Sequence, residues 1–97
     1  MNYRFHPAAR VEHLEHVRYY QEIRPGLGAR YLGDFAATMS RICENPHRYR
    51  LEREPNIRAK RFMMFPYSVI FREVERGVQV LAVPHDRQRP GLWFPRL

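Results

Sequence analysis

Cysteine is nearly absent from this chain. Cys43 stands alone, so no internal disulfide is available, and no Cys/His grouping has zinc-ligand spacing. The cysteine usage fits a reducing, cytoplasmic location. Long apolar runs are missing as well. The opening residues, Met1-Asn2-Tyr3-Arg4-Phe5-His6-Pro7, hold no signal-type segment, and no stretch approaches the roughly 18 apolar residues that a membrane-spanning helix needs. Neither secretion nor membrane association is expected. Lysine is as scarce as cysteine, with Lys60 the only one, so the positive charge is almost wholly arginine. Arginine meets phosphate and carboxylate with a planar fork where lysine offers a point charge. Acidic groups are in deficit too: 10 Asp and Glu face 17 Lys and Arg, for a formal charge of +7. Such a surface suits a polyanion or an acidic protein partner.

The residues that are present make a folded chain. Its 97 residues support one domain, spanning 1–97, and 44% hydrophobic with 13% aromatic residues is far from the composition of disordered proteins. The charge is uneven, with a net +1 on residues 1–45 and +6 on residues 46–97. No internal repeat or linker-like stretch marks a boundary.

Tyr3-Arg4-Phe5 alternates as a short strand does, and Pro7 sits where a helix begins. A helix follows from about Pro7 to Ile23, with Val11, Leu14 and Val17 within an arc of about 120° as its apolar face. Glu12, Glu15, Arg18 and Glu22 supply its solvated remainder. Arg24-Pro25-Gly26-Leu27-Gly28 breaks the pattern as a turn. Leu27, Tyr31, Phe35 and Met39 then recur every four residues with Leu32 and Ile42 beside them, predicting a second helix over 27–44 that Asn45-Pro46 ends. Two helices joined by a tight turn make an antiparallel hairpin.

Beyond a polar, arginine-bearing segment at 47–56, the period falls to two. Ile57, Ala59, Arg61 and Met63 alternate with Arg58, Lys60 and Phe62 as a strand. Phe65-Pro66-Tyr67 is a turn or kink, and Tyr67 to Val74 is rich in β-branched and aromatic residues. Arg76-Gly77 supplies a hairpin turn into Val78 to Val83, a nearly continuous apolar strand covered on both faces or central in its sheet. The order β-α-α-β-β-β argues an α+β fold, a helical hairpin packed on a small, mainly antiparallel sheet.

Residues 84–97 form a basic-aromatic tail. Leu92, Trp93, Phe94 and Leu97 are combined there with Arg87, Arg89, Arg96 and His85, immediately after the most apolar strand. The tail either lines an open sheet face or uses its apolar side chains to close the core.

These landmarks together resemble a known family. Tyr19-Tyr20 on the first helix, Pro25-Gly26-Leu27-Gly28, Asn45-Pro46, Phe65-Pro66-Tyr67-Ser68-Val69-Ile70-Phe71, and Val80-Leu81-Ala82-Val83 followed by His85, Arg87, Pro90 and Trp93 look like the ParE/RelE superfamily of bacterial toxins. The likeness is to its ParE-type branch, the plasmid stabilisation proteins, and covers nearly the whole chain. It implies the toxin of a type II toxin–antitoxin module, neutralised by a small acidic antitoxin that also supplies much of the oligomeric assembly. Neither a metal nor a cofactor is implied.

Two modes of action follow from the resemblance. RelE-type members cut mRNA on the ribosome, which needs a base for the ribose 2′-OH, cations for the phosphate and an acid for the leaving group. His85, Arg87, Arg61 and Lys60 are the candidates for those roles. The ribonuclease branch, however, carries an arginine after the aromatic of the strand at 67–74, where this chain has Ser68, and a late tyrosine whose place Trp93 takes. ParE-type members are associated with poisoning DNA gyrase, which needs a binding surface, and Arg87, Arg89, Trp93 and Arg96 are the candidates for it. A basic RNA- or protein-binding module without toxicity is the third class.

Other residues have plainer readings. His13 and His16 lack a third metal ligand. Tyr19 and Tyr20 are expected to pack between helix and sheet, and Cys43 to act as a small buried hydrophobe. His85 and Asp86, adjacent on an extended chain, are expected to point to opposite faces, which leaves Asp86 to offset a neighbouring arginine.

Overall fold

The structure, a computed structural model, describes residues 2–88 and 91–97. Strand β1 (Asn2–Phe5) leads into helix α1 (Pro7–Ile23) and helix α2 (Leu27–Glu44), followed by a 3-10 turn at Pro46–Arg48. Strands β2 (Arg50–Arg53), β3 (Ile57–Arg61), β4 (Ser68–Val74) and β5 (Gly77–Ala82) complete a five-stranded sheet in the order β1-β5-β4-β3-β2. All neighbours are antiparallel except β1 and β5, which run parallel with Asn2 opposite Gly77 and Phe5 opposite Val80. The α+β architecture with a helical hairpin is the expected one, with one addition. Strand β2 lies inside the polar, arginine-bearing segment at 47–56, where no strand is expected because all four residues of Arg-Leu-Glu-Arg are exposed on the sheet edge and carry no hydrophobic alternation.

Local chemistry fixes the hairpin. His6 Nδ1 accepts a hydrogen bond from the Ala8 N–H at 3.1 Å, and Pro7 occupies the first turn of α1 without a wasted donor. Gly26, at φ 92, turns the chain into α2. Gln21 Oε1 then accepts from the N–H groups of Gly26 and Gly28 at 3.1 and 3.3 Å, so a side chain at the end of α1 caps the start of α2. A Cβ on Gly28 would lie 2.9 Å from the Val17 carbonyl oxygen, which is how closely the two helices approach.

The sheet is covered on both faces. On one side Ala9 of α1 and Tyr31, Phe35, Met39 and Ile42 of α2 pack on Val69, Phe71, Val78 and Val80. On the other, Trp93 closes a second cluster of Ile57, Ala59, Ile70, Leu81 and Ala82. Strand β5 contributes to both clusters, as its continuous apolar run predicted. The expected face of α1 is corrected. Val11 and Leu14 are 56% and 52% exposed, while Ala9 and His13 are buried and His16, Val17 and Tyr20 are partly so. A face that uses two histidines and an alanine leaves little hydrophobic signal. In α2, Leu32 is likewise exposed, whereas Asp34 is buried.

Asp34 earns that burial by holding a turn. Its carboxylate accepts the backbone N–H groups of Met63, Met64 and Phe65 at 3.0, 2.9 and 2.8 Å, shaping the β3–β4 connection. Among the described residues, no helix is long and apolar enough to cross a membrane.

Candidate functional site

The sheet face away from the helices holds a cavity of about 520 Å³. Side chains reach it from β2 (Arg50, Glu52), β3 (Arg61), the start of β4 (Ser68) and the segment after β5 (His85, Asp86), and Trp93 lines it as well. That last segment is stitched to the β3–β4 connection. Asp86 N–H donates to the Pro66 carbonyl at 2.9 Å and Ser68 N–H to that of Pro84 at 3.1 Å.

The candidate residues separate on this frame. His85 and Arg61 share the cavity. Lys60, one residue along β3, points to the opposite face, where its ammonium lies 5.7 Å from the Tyr49 ring centroid and donates to the Arg61 carbonyl at 2.8 Å. Arg87 is exposed beside His85, and Arg89 lies outside the described residues. Trp93 is 4% exposed and belongs to the second core cluster. Arg96 donates to the Leu81 carbonyl at 2.9 Å and pairs with Glu12 of α1.

The cavity's cations are already matched. Arg61 meets Asp86 at 2.7 Å, and Arg50 meets Glu52 at 3.0 Å. The chain turns at Asp86 and Arg87, so His85 and Asp86 line one cavity and do not diverge to opposite faces. The Asp86 carboxylate is nonetheless directed at Arg61. His85 Nδ1 accepts the Arg87 N–H at 3.0 Å, which leaves Nε2 to carry the proton of the neutral ring. Its backbone N–H donates to Gln88 Oε1 at 2.6 Å.

A second group of rings lies at the edge of this site. His16 donates from Nε2 to the Val83 carbonyl at 2.9 Å and sits 4.3 Å from Tyr67 between ring centroids, while Tyr67 meets His85 edge-on at 5.2 Å. Burial, more than any neighbour, pushes the His16 imidazole below its ordinary range. Burial and then Tyr20 push the Tyr67 hydroxyl above its own. Tyr20 is half-buried against these rings, but Tyr19 is 58% exposed and does not pack between helix and sheet as expected. The sequence places Glu12 on the solvated face of α1. It instead accepts the Val83 N–H at 3.1 Å as well as pairing with Arg96, and contacts this distant in sequence leave no local pattern to read.

The family described as ParE toxin of type II toxin-antitoxin system, parDE, matches residues 3–90. The chain belongs to the ParE toxin family. No curated protein matches it. As a ParE-family toxin it is one component of a type II toxin–antitoxin system, and an antitoxin is its implied partner. The match spans both helices, all of the sheet but Asn2, and the turn that carries His85 and Arg87. Trp93 and Arg96 lie beyond it. The ParE chain thus presents a mixed-charge cavity in which each lining arginine has a carboxylate partner. Among its described residues, no group of three or more His, Cys, Asp or Glu side chains is placed to hold a metal ion.

Proposed function

We propose that this ParE-family toxin acts in the cytoplasm by binding a protein target, DNA gyrase, and that a small acidic antitoxin neutralises it. The observation that carries the reading is that the groups a ribonuclease needs in the sheet-face cavity are already engaged. Arg61 and Arg50 face Asp86 and Glu52, so an incoming phosphate meets a carboxylate beside each arginine and competes with it. The one lone pair of neutral His85 receives the Arg87 N–H, which leaves no free lone pair on the ring to take a proton from a 2′-OH. Ser68 and Trp93 supply neither a cation nor an acid at the remaining positions.

Binding asks less of these residues. The C-terminal segment presents exposed Arg87, Leu92 and Phe94, and Arg53 lies 4.0 Å over the Phe94 ring. Trp93 and Arg96 anchor that segment, and Arg89 completes the proposed target-binding group. The formal charge of +7 favours fast encounter with an acidic antitoxin, which also organises the oligomer.

The test is induced expression of the chain alone, with mRNA integrity and the DNA damage response followed together. Growth arrest with intact mRNA and an induced damage response is the expected outcome, and His85→Ala leaves it unchanged. Arrest with rapid mRNA cleavage, abolished by His85→Ala, would instead establish the ribosome-dependent ribonuclease reading. Unimpaired growth with the folded chain would point to the non-toxic binding module.

A further inference from the structure

The strand register places three arginines in one line across the sheet. Arg4 of β1 lies opposite Gln79 of β5, Gln79 opposite Arg72 of β4, Arg72 opposite Ile57 of β3, and Ile57 opposite Arg53 of β2. Residues directly opposite one another share a face, and Ile57, packed with Trp93, identifies it as the face away from the helices. With neighbouring strands about 4.8 Å apart, successive arginines stand roughly 9–10 Å apart and the row crosses roughly 19 Å of the sheet.

Neutral groups hold two of these side chains. Arg72 Nε donates to Gln79 Oε1 at 3.0 Å, which leaves the terminal nitrogens of its fork for another acceptor. Arg53 lies over the Phe94 ring at 4.0 Å, a stack that covers the plane of the guanidinium and leaves its N–H edge. Among the described residues, Arg4, Arg53 and Arg72 are in no ion pair, whereas Arg50, Arg61 and Arg96 each have a carboxylate. The residues outside the description, Met1, Arg89 and Pro90, bring no acidic side chain. Glu75 shares a cleft with Arg4 at the β4–β5 turn and Glu54 follows Arg53 in the chain, but both are exposed and neither forms an ion pair. One end of this face is thus neutralised, and the end nearer the β4–β5 turn keeps its charge.

The row selects its ligand by what it lacks. It runs across the strands and not along an edge, so it offers a peptide no backbone to pair with, and its apolar member, Ile57, is buried. Single-stranded nucleic acid needs bare rings for its bases, but Phe94 carries Arg53 and Trp93 is 4% exposed. The backbone of a double helix, whose bases stay paired, needs only cations, and the guanidinium fork matches its phosphates. We propose that Arg4, Arg53 and Arg72 bind backbone phosphates of double-stranded nucleic acid, with Gln79 and Phe94 as positioning residues. The proposal does not depend on which protein the toxin targets.

The experiment is fluorescence anisotropy of a short labelled DNA duplex titrated with the full chain over a range of salt concentrations. Unlabelled duplex DNA, duplex RNA, the DNA single strand and poly-glutamate serve as competitors, and the two duplexes distinguish the sources of the same phosphates. Three phosphate contacts contribute about −2.7 to the slope of log K against log salt, so Arg4→Gln, Arg53→Gln and Arg72→Gln should each make it shallower by about 0.9. Arg24→Gln and Arg30→Gln remove the same charge from exposed positions on the helical hairpin and should leave the slope unchanged. Arg4→Gln, at an exposed position on β1, carries the test if either of the other row variants fails to fold. Equal losses in the hairpin variants reduce the row to diffuse charge and overturn the proposal. Stronger competition by poly-glutamate or by the single strand than by either duplex overturns the assignment to a double helix.

Discussion

Glu12 and Arg96 join the first helix to the C-terminal segment across almost the whole length of the sequence. One oxygen of Glu12 takes the Arg96 guanidinium and the other takes the Val83 N–H, while Arg96 also donates to the Leu81 carbonyl. The pair thus fastens α1, the end of β5 and the segment carrying Trp93 to one another. Glu12→Ala leaves a backbone N–H and a partly buried guanidinium without their acceptor and should lower the unfolding free energy by about 1–3 kcal/mol. Arg96→Lys should also destabilise, because one ammonium does not reproduce a fork that spans two acceptors. Urea unfolding measures the loss, and a red shift of Trp93 emission reports release of the segment.

Asp34 is expected to be the costliest single polar substitution. Asp34→Ala removes the acceptor of three backbone N–H groups in the β3–β4 turn and should cost about 3 kcal/mol or more. Asp34→Asn keeps the shape but offers one acceptor oxygen where the carboxylate offered two, so an intermediate loss is expected. Amide exchange of Met63, Met64 and Phe65 should accelerate in both variants before global unfolding does.

His13 gives the fold a pH dependence. Its ring is buried against Phe5 and Phe35 and lies 3.1 Å from the Tyr31 hydroxyl, and burial, followed by the neighbouring His16, lowers its pKa to about 4. The unfolded chain protonates this ring near 6.5, so below that pH it binds a proton that the folded chain refuses. The stability contributed by neutral His13 is complete above pH 6.5 and is lost progressively as pH falls toward about 4. Melting temperatures across that interval should fall with pH, and His13→Phe should flatten the fall.

Two glycines of α2 should respond in opposite directions to alanine. At Gly33 an added Cβ meets nothing within 4 Å, so Gly33→Ala should stabilise by about 0.5–1 kcal/mol through helix propensity. At Gly28 the same atom lies 2.9 Å from the Val17 carbonyl, so Gly28→Ala must push the helices apart and should destabilise. Thermal unfolding of the two variants side by side checks both.

Much of this architecture can be read from the chain because its strongest elements bury one clean face. Tyr31, Phe35 and Met39 recur every four residues and define α2 unaided, and Tyr67 to Val74 and Val78 to Val83 announce the central strands. Where burial falls to polar or small residues the sequence is mute. Helix α1 turns Ala9 and His13 inward and leaves Val11 and Leu14 outside, and β2 buries nothing. In the cavity, His85 and Arg61 were recognisable as polar groups near the sheet, but the contacts that engage them come from a turn whose shape no periodicity encodes. A lone aspartate amid the apolar positions of α2 was a signal for Asp34 that residue spacing alone did not decode.

The parallel pairing of β1 with β5 also sets an order of events during synthesis. Asn2 must wait for Gly77 before its strand has a partner, and at about 5–20 residues per second that delay is roughly 4–15 s. Helix formation, on a microsecond scale, is long complete by then. From Glu44, where α2 ends, to Gly77 the same rate takes roughly 2–7 s, and for that time Tyr31, Phe35, Met39 and Ile42 of the hairpin have no sheet to cover them. A partner that recognises this hairpin can therefore engage it on the ribosome, before the cavity on the far face of the sheet has come into existence.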